Sequence, residues 1–203
     1  MSTSLPRPSP AGLEQFRWII ESQVSLPDAE WEYAVPFLAG RTYENKEYLA
    51  HAGAVAPNFY FLVSGLVRFY YSTGDGKEFN KHFAMENGFA GAFQSLVLGE
   101  PCGFFLQAME KTETIVLPNT RLRELYNRHP CWERLGRRNA ENLVLVKEAR
   151  EKEFLLDSLE VRYSRFRKEF PGLAERLPQY HIASYLGVTD VALSRLRRKI
   201  NQG

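Results

Sequence analysis

The sequence predicts an α+β chain: an all-β sandwich or roll near the amino terminus with flanking helices, then one long helix, then a carboxyl-terminal helix-turn-helix. Three observations predict it. Residues 41–117 lose the helical period and become rich in Tyr, Phe and Val between turn signals. A long stretch after Pro130 contains no further proline. The segment QYHIASYLGVTDVALSRLRR, Gln179 to Arg198, has the spacing of two short helices about a tight turn.

The elements follow in order. Leu13, Phe16, Ile19 and Ile20 give residues 12–24 an amphipathic period, and residues 27–38 add a second helix with Trp31, Val35 and Leu38 inward. Short strands such as FYFLV, LVRFYYS and EFNKHFA lie between turns at residues 51–53, Ser64-Gly65, Gly74-Asp75-Gly76 and Asn87-Gly88, and STGDGKE reads as a hairpin tip. Phe89, Phe93, Phe104 and Phe105 are expected to fill the core, the alternative being the lining of an apolar ligand pocket. A short helix over residues 120–127 precedes the long one that Pro130 can begin. In its middle, Leu143-Val144-Leu145-Val146 is apolar around nearly the whole circumference. Such a helix needs cover on two sides, which predicts a homodimer seam at Leu143 and Val146; the alternative is a buried connector within one subunit. The texture divides the chain into residues 1–127, the β unit; 128–156, the dimerisation helix; and 157–203, the helix-turn-helix.

The last segment carries the functional reading. Ala183 is the small contact residue, Gly187 takes the turn, and Ile182, Leu186, Val188, Leu193 and Leu196 form the shared core. Thr189 caps the second helix. With Leu193, Leu196 and Ile200 inward, a rotation of about 100° per residue turns Val191, Arg195 and Arg198 outward, flanked by Ser194 and Lys199. Arginine can bond guanine bidentately and valine can cover a thymine methyl, so this face suits double-stranded DNA. A surface helix with solvated arginines is the alternative. Asp190 either accepts from a cytosine amino group or acts as an acid of the capping region, and His181 is a hydrogen-bonding or phosphate-contacting residue.

Composition narrows the class. The chain of 203 residues has a net charge of +2, yet residues 162–199 hold Arg162, Arg165, Arg167, Lys168, Arg176, Arg195, Arg197, Arg198 and Lys199 against Glu169, Glu175 and Asp190. No apolar run approaches the roughly 20 residues that span a bilayer, and MSTSLPRPSP lacks a secretory segment, so a cytoplasmic protein without membrane contact is expected. Cys102 and Cys131 are too few for a thiolate cluster. His51, His82, His129 and His181 lie in different contexts without a metalloprotease pair, a Walker loop or a nucleophile elbow. Neither an enzyme, nor a metal, nor a cofactor is expected.

The order of β unit, long helix and helix-turn-helix resembles the Crp/Fnr family of bacterial transcription regulators over nearly the whole chain. FYFLVSGLVRFYYSTGDGKE is similar to the family's strand, Ser-Gly turn and hairpin, and ERLPQYHIASYLGVTDVALSRLRRKI to a subgroup in which Pro-Gln-Tyr-His-Ile-Ala leads into the helix-turn-helix. The resemblance implies a double-stranded β-helix, or jelly roll, of the cyclic-nucleotide-binding kind. It also implies a homodimer whose effector domain adjusts two DNA-reading helices, with RNA polymerase and a small-molecule effector as further candidate partners. Two departures stand out. The Gly-Glu-Leu turn that holds the ribose in cyclic AMP binders falls on Gly91-Ala92-Phe93, and the Arg-Ser or Arg-Thr pair falls near Cys102-Gly103. The interval from His82 to Glu110 has neither Lys nor Arg, so an anionic phosphate would lack a charge-assisted partner and the effector pocket reads as degenerate. The sequence ends three residues after Ile200, and the family's winged hairpin is not expected. The alternative function is a ligand-sensing or partner-binding module with a vestigial helix-turn-helix.

Overall fold

The computed structural model describes residues 5–202, with side chains as far as Ile200. Helix α1 (Pro10–Glu21) begins where Ser9 Oγ accepts from the Gly12 amide at 3.2 Å, with Pro10 in the first turn, where no amide proton is needed. Helix α2 (Asp28–Ala34) is shorter than the periodicity predicts and gives way to a 3-10 turn over Val35–Phe37. The cause is Pro36, which has no amide proton to give and crowds the preceding turn.

The strands are β1 (Ala39–Tyr43), β2 (Tyr48–Ala50), β3 (Asn58–Ser64), β4 (Val67–Ser72), β5 (Glu78–Ala84), β6 (Phe89–Ala90), β7 (Phe105–Ala108) and β8 (Thr112–Pro118), with α3 (Phe93–Leu98) between β6 and β7. They form two four-stranded sheets, β1-β8-β3-β6 and β2-β7-β4-β5, the expected roll. Strand β3 shows why both faces of the first sheet are buried. Tyr60 and Leu62 point into the roll while Phe59, Phe61 and Val63 face the amino-terminal helices, the alternation of a strand. Its antiparallel partner β8 repeats this, with Val116 inside and Ile115 and Leu117 outside, in the register Tyr60↔Val116 and Phe61↔Ile115. The Ser64-Gly65 turn is specific: Gly65 has φ +95°, and a Cβ there would fall 2.6 Å from the Thr112 Cα.

The four phenylalanines expected in the core are less buried than their type suggests. Phe89, Phe104 and Phe105 are half-buried and Phe93 is 43% exposed. Phe89 and Phe104 nevertheless pack against the two core clusters, and the roll is closed by Tyr43, Tyr60, Leu62, Phe69 and Leu106 with small residues such as Ala84, Ala90, Ala92 and Ala108. These alanines leave room for the tyrosine rings, as close packing requires.

Helices α4 (Asn119–Arg128) and α5 (Pro130–Leu156) follow, the latter beginning at the expected proline. Then come α6 (Leu159–Glu169), capped by Ser158, α7 (Leu173–Arg176), α8 (Gln179–Leu186) and α9 (Asp190–Gln202). The chain forms two compact units. One comprises the residues up to Phe69 with Phe83–Glu141; the other joins the hairpin residues Tyr70–His82 to everything from Asn142 onward.

Candidate nucleic-acid interface

Helices α8 and α9 and the turn between them are built as their spacing predicts. Gly187 takes the left-handed conformation at φ +68°, where its amide donates to the Ser184 carbonyl and the Val188 amide to that of Ala183. Ile182, Ala183, Leu186 and Leu193 are buried, Val188 and Leu196 half-buried. Thr189 Oγ1 accepts from the Ala192 amide at 3.3 Å, the expected cap. The carboxyl end of α8 is also held from α5 and α6: Arg150 donates to the Tyr185 carbonyl at 2.5 Å and Arg162 to that of Leu186 at 2.8 Å. The Phe154 ring lies 4.8 and 5.3 Å from the two guanidinium carbons. Cations at a helix carboxyl terminus oppose its negative dipole end, so this cap is favourable electrostatically as well as by geometry.

The outward face of α9 carries Val191 (59% exposed), Arg195 and Arg198, and neither arginine has an ion pair among the described residues. Thr189, Asp190 and Lys199 are exposed too, and Ser194 is half-buried. One placement differs from the helical wheel. Ile200, assigned inward, lies in the last turns of α9 and is 39% exposed. Lys199 is drawn to Glu160 at 3.4 Å, an exposed pair worth little. Arg197 reaches Gln179 Oε1 at 3.5 Å, and Gln179 Nε2 donates to the Asp190 carbonyl at 3.0 Å, tying the first turns of α8 and α9 together. Tyr180, more than half exposed beside these residues in sequence, is a candidate that the sequence reading passed over; an aromatic at the start of the first helix is its signal.

His181 is buried, which removes the phosphate-contacting alternative and leaves the hydrogen-bonding one. Its partner is Asn80 on β5, whose Nδ2 lies 3.0 Å from the His181 carbonyl and 3.1 Å from Nδ1. The same strand meets Ser184, whose Oγ accepts from the Asn80 amide at 3.0 Å and donates to the Glu78 carbonyl at 3.2 Å. His82 follows on β5, 5.8 Å from the Phe170 ring, and burial, reinforced by the charges of Arg150 and Lys81, lowers its pKa to about 4. Nothing local in the sequence marks this strand as a neighbour of α8.

In the roll, the residues expected at the effector positions differ in their surroundings. Ala92 and Cys102 are buried in the same cluster, the thiol donating to the His51 and Phe104 carbonyls at 3.2 and 3.3 Å. Gly91 is pressed by the Phe59 ring, Phe93 faces outward, and Gly103 has no neighbour within reach of a Cβ. Among the described residues no three His, Cys, Asp or Glu side chains gather as metal ligands, and no helix is long and apolar enough to cross a membrane.

Residues 40–129 match the cyclic nucleotide-binding domain family. FixK2 from Bradyrhizobium japonicum superposes with a TM-score of 0.69 at 19% identity, over 81% of this chain and 85% of that one. The c-di-GMP responsive global regulator CLP of Xanthomonas campestris gives 0.66 at 15% identity over 87% and 92%. The Thermus thermophilus catabolite activator protein gives 0.54 at 21% over 88% and 85%. The chain has the Crp/Fnr fold. At these identities the likeness is one of fold, and no curated protein matches the sequence.

In this Crp/Fnr-fold chain, the apolar run of α5 is left largely uncovered. Val144 and Leu145 are well exposed and Leu143 borders on it, while Val146 is half-buried against its own chain. The opening is therefore wider at Leu145 than at the expected Val146. Leu145 and Leu156 stand 11 residues apart, three helical turns, so both lie on one side of the helix, and Leu156 is exposed as well.

Proposed function

We propose that this chain is a homodimeric regulator of transcription that reads double-stranded DNA in a sequence-specific way through α9, with Thr189, Asp190, Val191, Ser194, Arg195, Arg198 and Lys199 at the interface. The observation that carries the reading is the exposed Val191, Arg195 and Arg198 face on a capped helix that packs against its partner helix. A vestigial motif would have no reason to keep two arginines unpaired on the side away from its core. The regulators of the same fold support the reading, and so does the uncovered α5, because a dimer supplies two recognition helices for two half-sites.

Cyclic AMP is not the effector in this proposal. By the family resemblance, Ala92, which is buried, falls at the position of the family's carboxylate, and no basic residue occurs between His82 and Glu110. Losing one charge-assisted hydrogen bond forfeits about 1.5–3 kcal/mol, and more in a buried site. RNA polymerase and an unidentified small-molecule effector are the further partners this reading admits.

Selection from a random pool of duplex DNA tests the reading. A recurring motif with two related halves is expected, and the affinity should fall with salt by about 0.9 in log-log slope per phosphate neutralised. Recovery of unselected sequence alone would favour the vestigial alternative. Titration calorimetry with cyclic AMP checks the roll: low-micromolar binding would contradict the proposal.

A further inference from the structure

We infer that Ser184 and Asn80 form a joint by which strand β5 sets the direction of the recognition helix, an inference that rests on the DNA-reading role proposed above. Its parts share one compact unit. The Ser184 hydroxyl satisfies two backbone groups on the same side of β5, accepting from the Asn80 amide at 3.0 Å and donating to the Glu78 carbonyl at 3.2 Å. Three residues earlier on α8, the Asn80 carboxamide lies within bonding reach of both the His181 carbonyl and Nδ1. Because Nδ2 can only donate, Nδ1 is the acceptor and the imidazole carries its proton on Nε2. Four contacts thus fix one register between strand and helix. A shift of β5 by one residue or of α8 by one turn breaks all of them.

The joint is more exacting than adhesion requires. Asn80 is buried, and its Oδ1 meets no donor among the described residues. Leaving a polar atom unsatisfied is unfavourable, so apolar side chains would hold two surfaces together better. A carboxamide and a hydroxyl instead hold them in one orientation. That orientation passes to α9, because α8 and α9 share Ile182, Ala183, Leu186 and Leu193 and are joined by Gln179 to the Asp190 carbonyl. At its other end β5 continues through His82 into Phe83 and Ala84, buried residues of the roll. Asn80 and Ser184 are therefore positioning residues, and neither belongs to the DNA-facing set.

Amide exchange and DNA selection on the full chain test this together, with Ser184→Ala, Ser184→Thr and Asn80→Ala compared with wild type. Pools carrying paired half-sites at varied separation report the direction of the two recognition helices. Ser184→Ala is expected to speed exchange of the Asn80 amide about three- to tenfold, as loss of one hydrogen bond implies. It should also spread the preferred half-site separation over neighbouring values while leaving base preference within a half-site intact. Asn80→Ala should spread the separation likewise, and Ser184→Thr, which keeps the hydroxyl, should behave as wild type. A separation preference as sharp in both alanine variants as in wild type overturns the inference. So does equal loss in Ser184→Ala and Ser184→Thr, which would assign the effect to bulk. If wild type selects no DNA, the DNA reading fails separately and exchange alone decides: joint loss of protection over residues 78–80 and 179–186 in the alanine variants upholds the joint, and independent behaviour overturns it.

Discussion

Arg195 and Arg198 differ in what a substitution should reveal. Both are exposed and unpaired among the described residues, one turn apart on the same face of α9. Arg195 lies nearer the start of α9, the end of a recognition helix that meets base edges, so Arg195→Ala should weaken binding by about 1–3 kcal/mol and relax preference at one base pair per half-site. Arg198→Ala should weaken all sequences alike and reduce the salt slope by about one unit per half-site. Selected-sequence binding at several salt concentrations separates the two, and unchanged affinity in both would remove the assigned face. His82 makes a prediction about stability instead. Its folded pKa of about 4 lies below the ordinary value of 6.5, so the unfolded chain takes up the proton first. The contribution is complete above pH 6.5 and is lost as pH falls toward 4, with an upper bound of about 3 kcal/mol. Urea denaturation across that range should show the decline, and His82→Gln should flatten it.

Among the elements, the turn between α8 and α9 is the most constrained. Gly187 has φ +68°, and a Cβ there would fall 2.6 Å from the Phe154 ring, itself flanked by Arg150 and Arg162. Gly187→Ala should therefore destabilise the helical unit by about 1–2 kcal/mol, read as a lowered midpoint in thermal melting followed by circular dichroism. This turn was legible in the sequence because its determinants are local: Ala183, Gly187, Thr189 and Leu193 lie within eleven consecutive residues. Helix α6 is also written locally, in the Ser158 cap and the spacing of Tyr163, Phe166 and Phe170, although its basic residues interrupt the apolar period. The phenylalanines mark a different limit. Residue type says that Phe93 prefers burial, whereas its place on the short helix α3 turns it outward. The Asn80–His181 contact joins residues 101 apart, and no periodicity encodes such a pairing. Of the candidate site, the outward arginines could be read from helical rotation alone; the strand that holds their helix pair could not.

For the whole molecule, the uncovered side of α5 carries the proposed dimer seam. Exposed Val144, Leu145 and Leu156 on one long helix predict a dimer, and Leu145→Glu should shift it to monomers in sedimentation while leaving the helical signal intact. A wild-type chain that stays monomeric at high micromolar concentration would count against this seam. A different kind of self-association is held in check by Ser184. Strand β5 is the last strand of its sheet, and two of its backbone groups, the Glu78 carbonyl and the Asn80 amide, are occupied by that single hydroxyl. An open strand border is a template on which another chain can lengthen the sheet. The same serine that orients a helix thus also plugs that border, and a population of Ser184→Ala molecules would be prone to clump through added strands rather than to pair through α5.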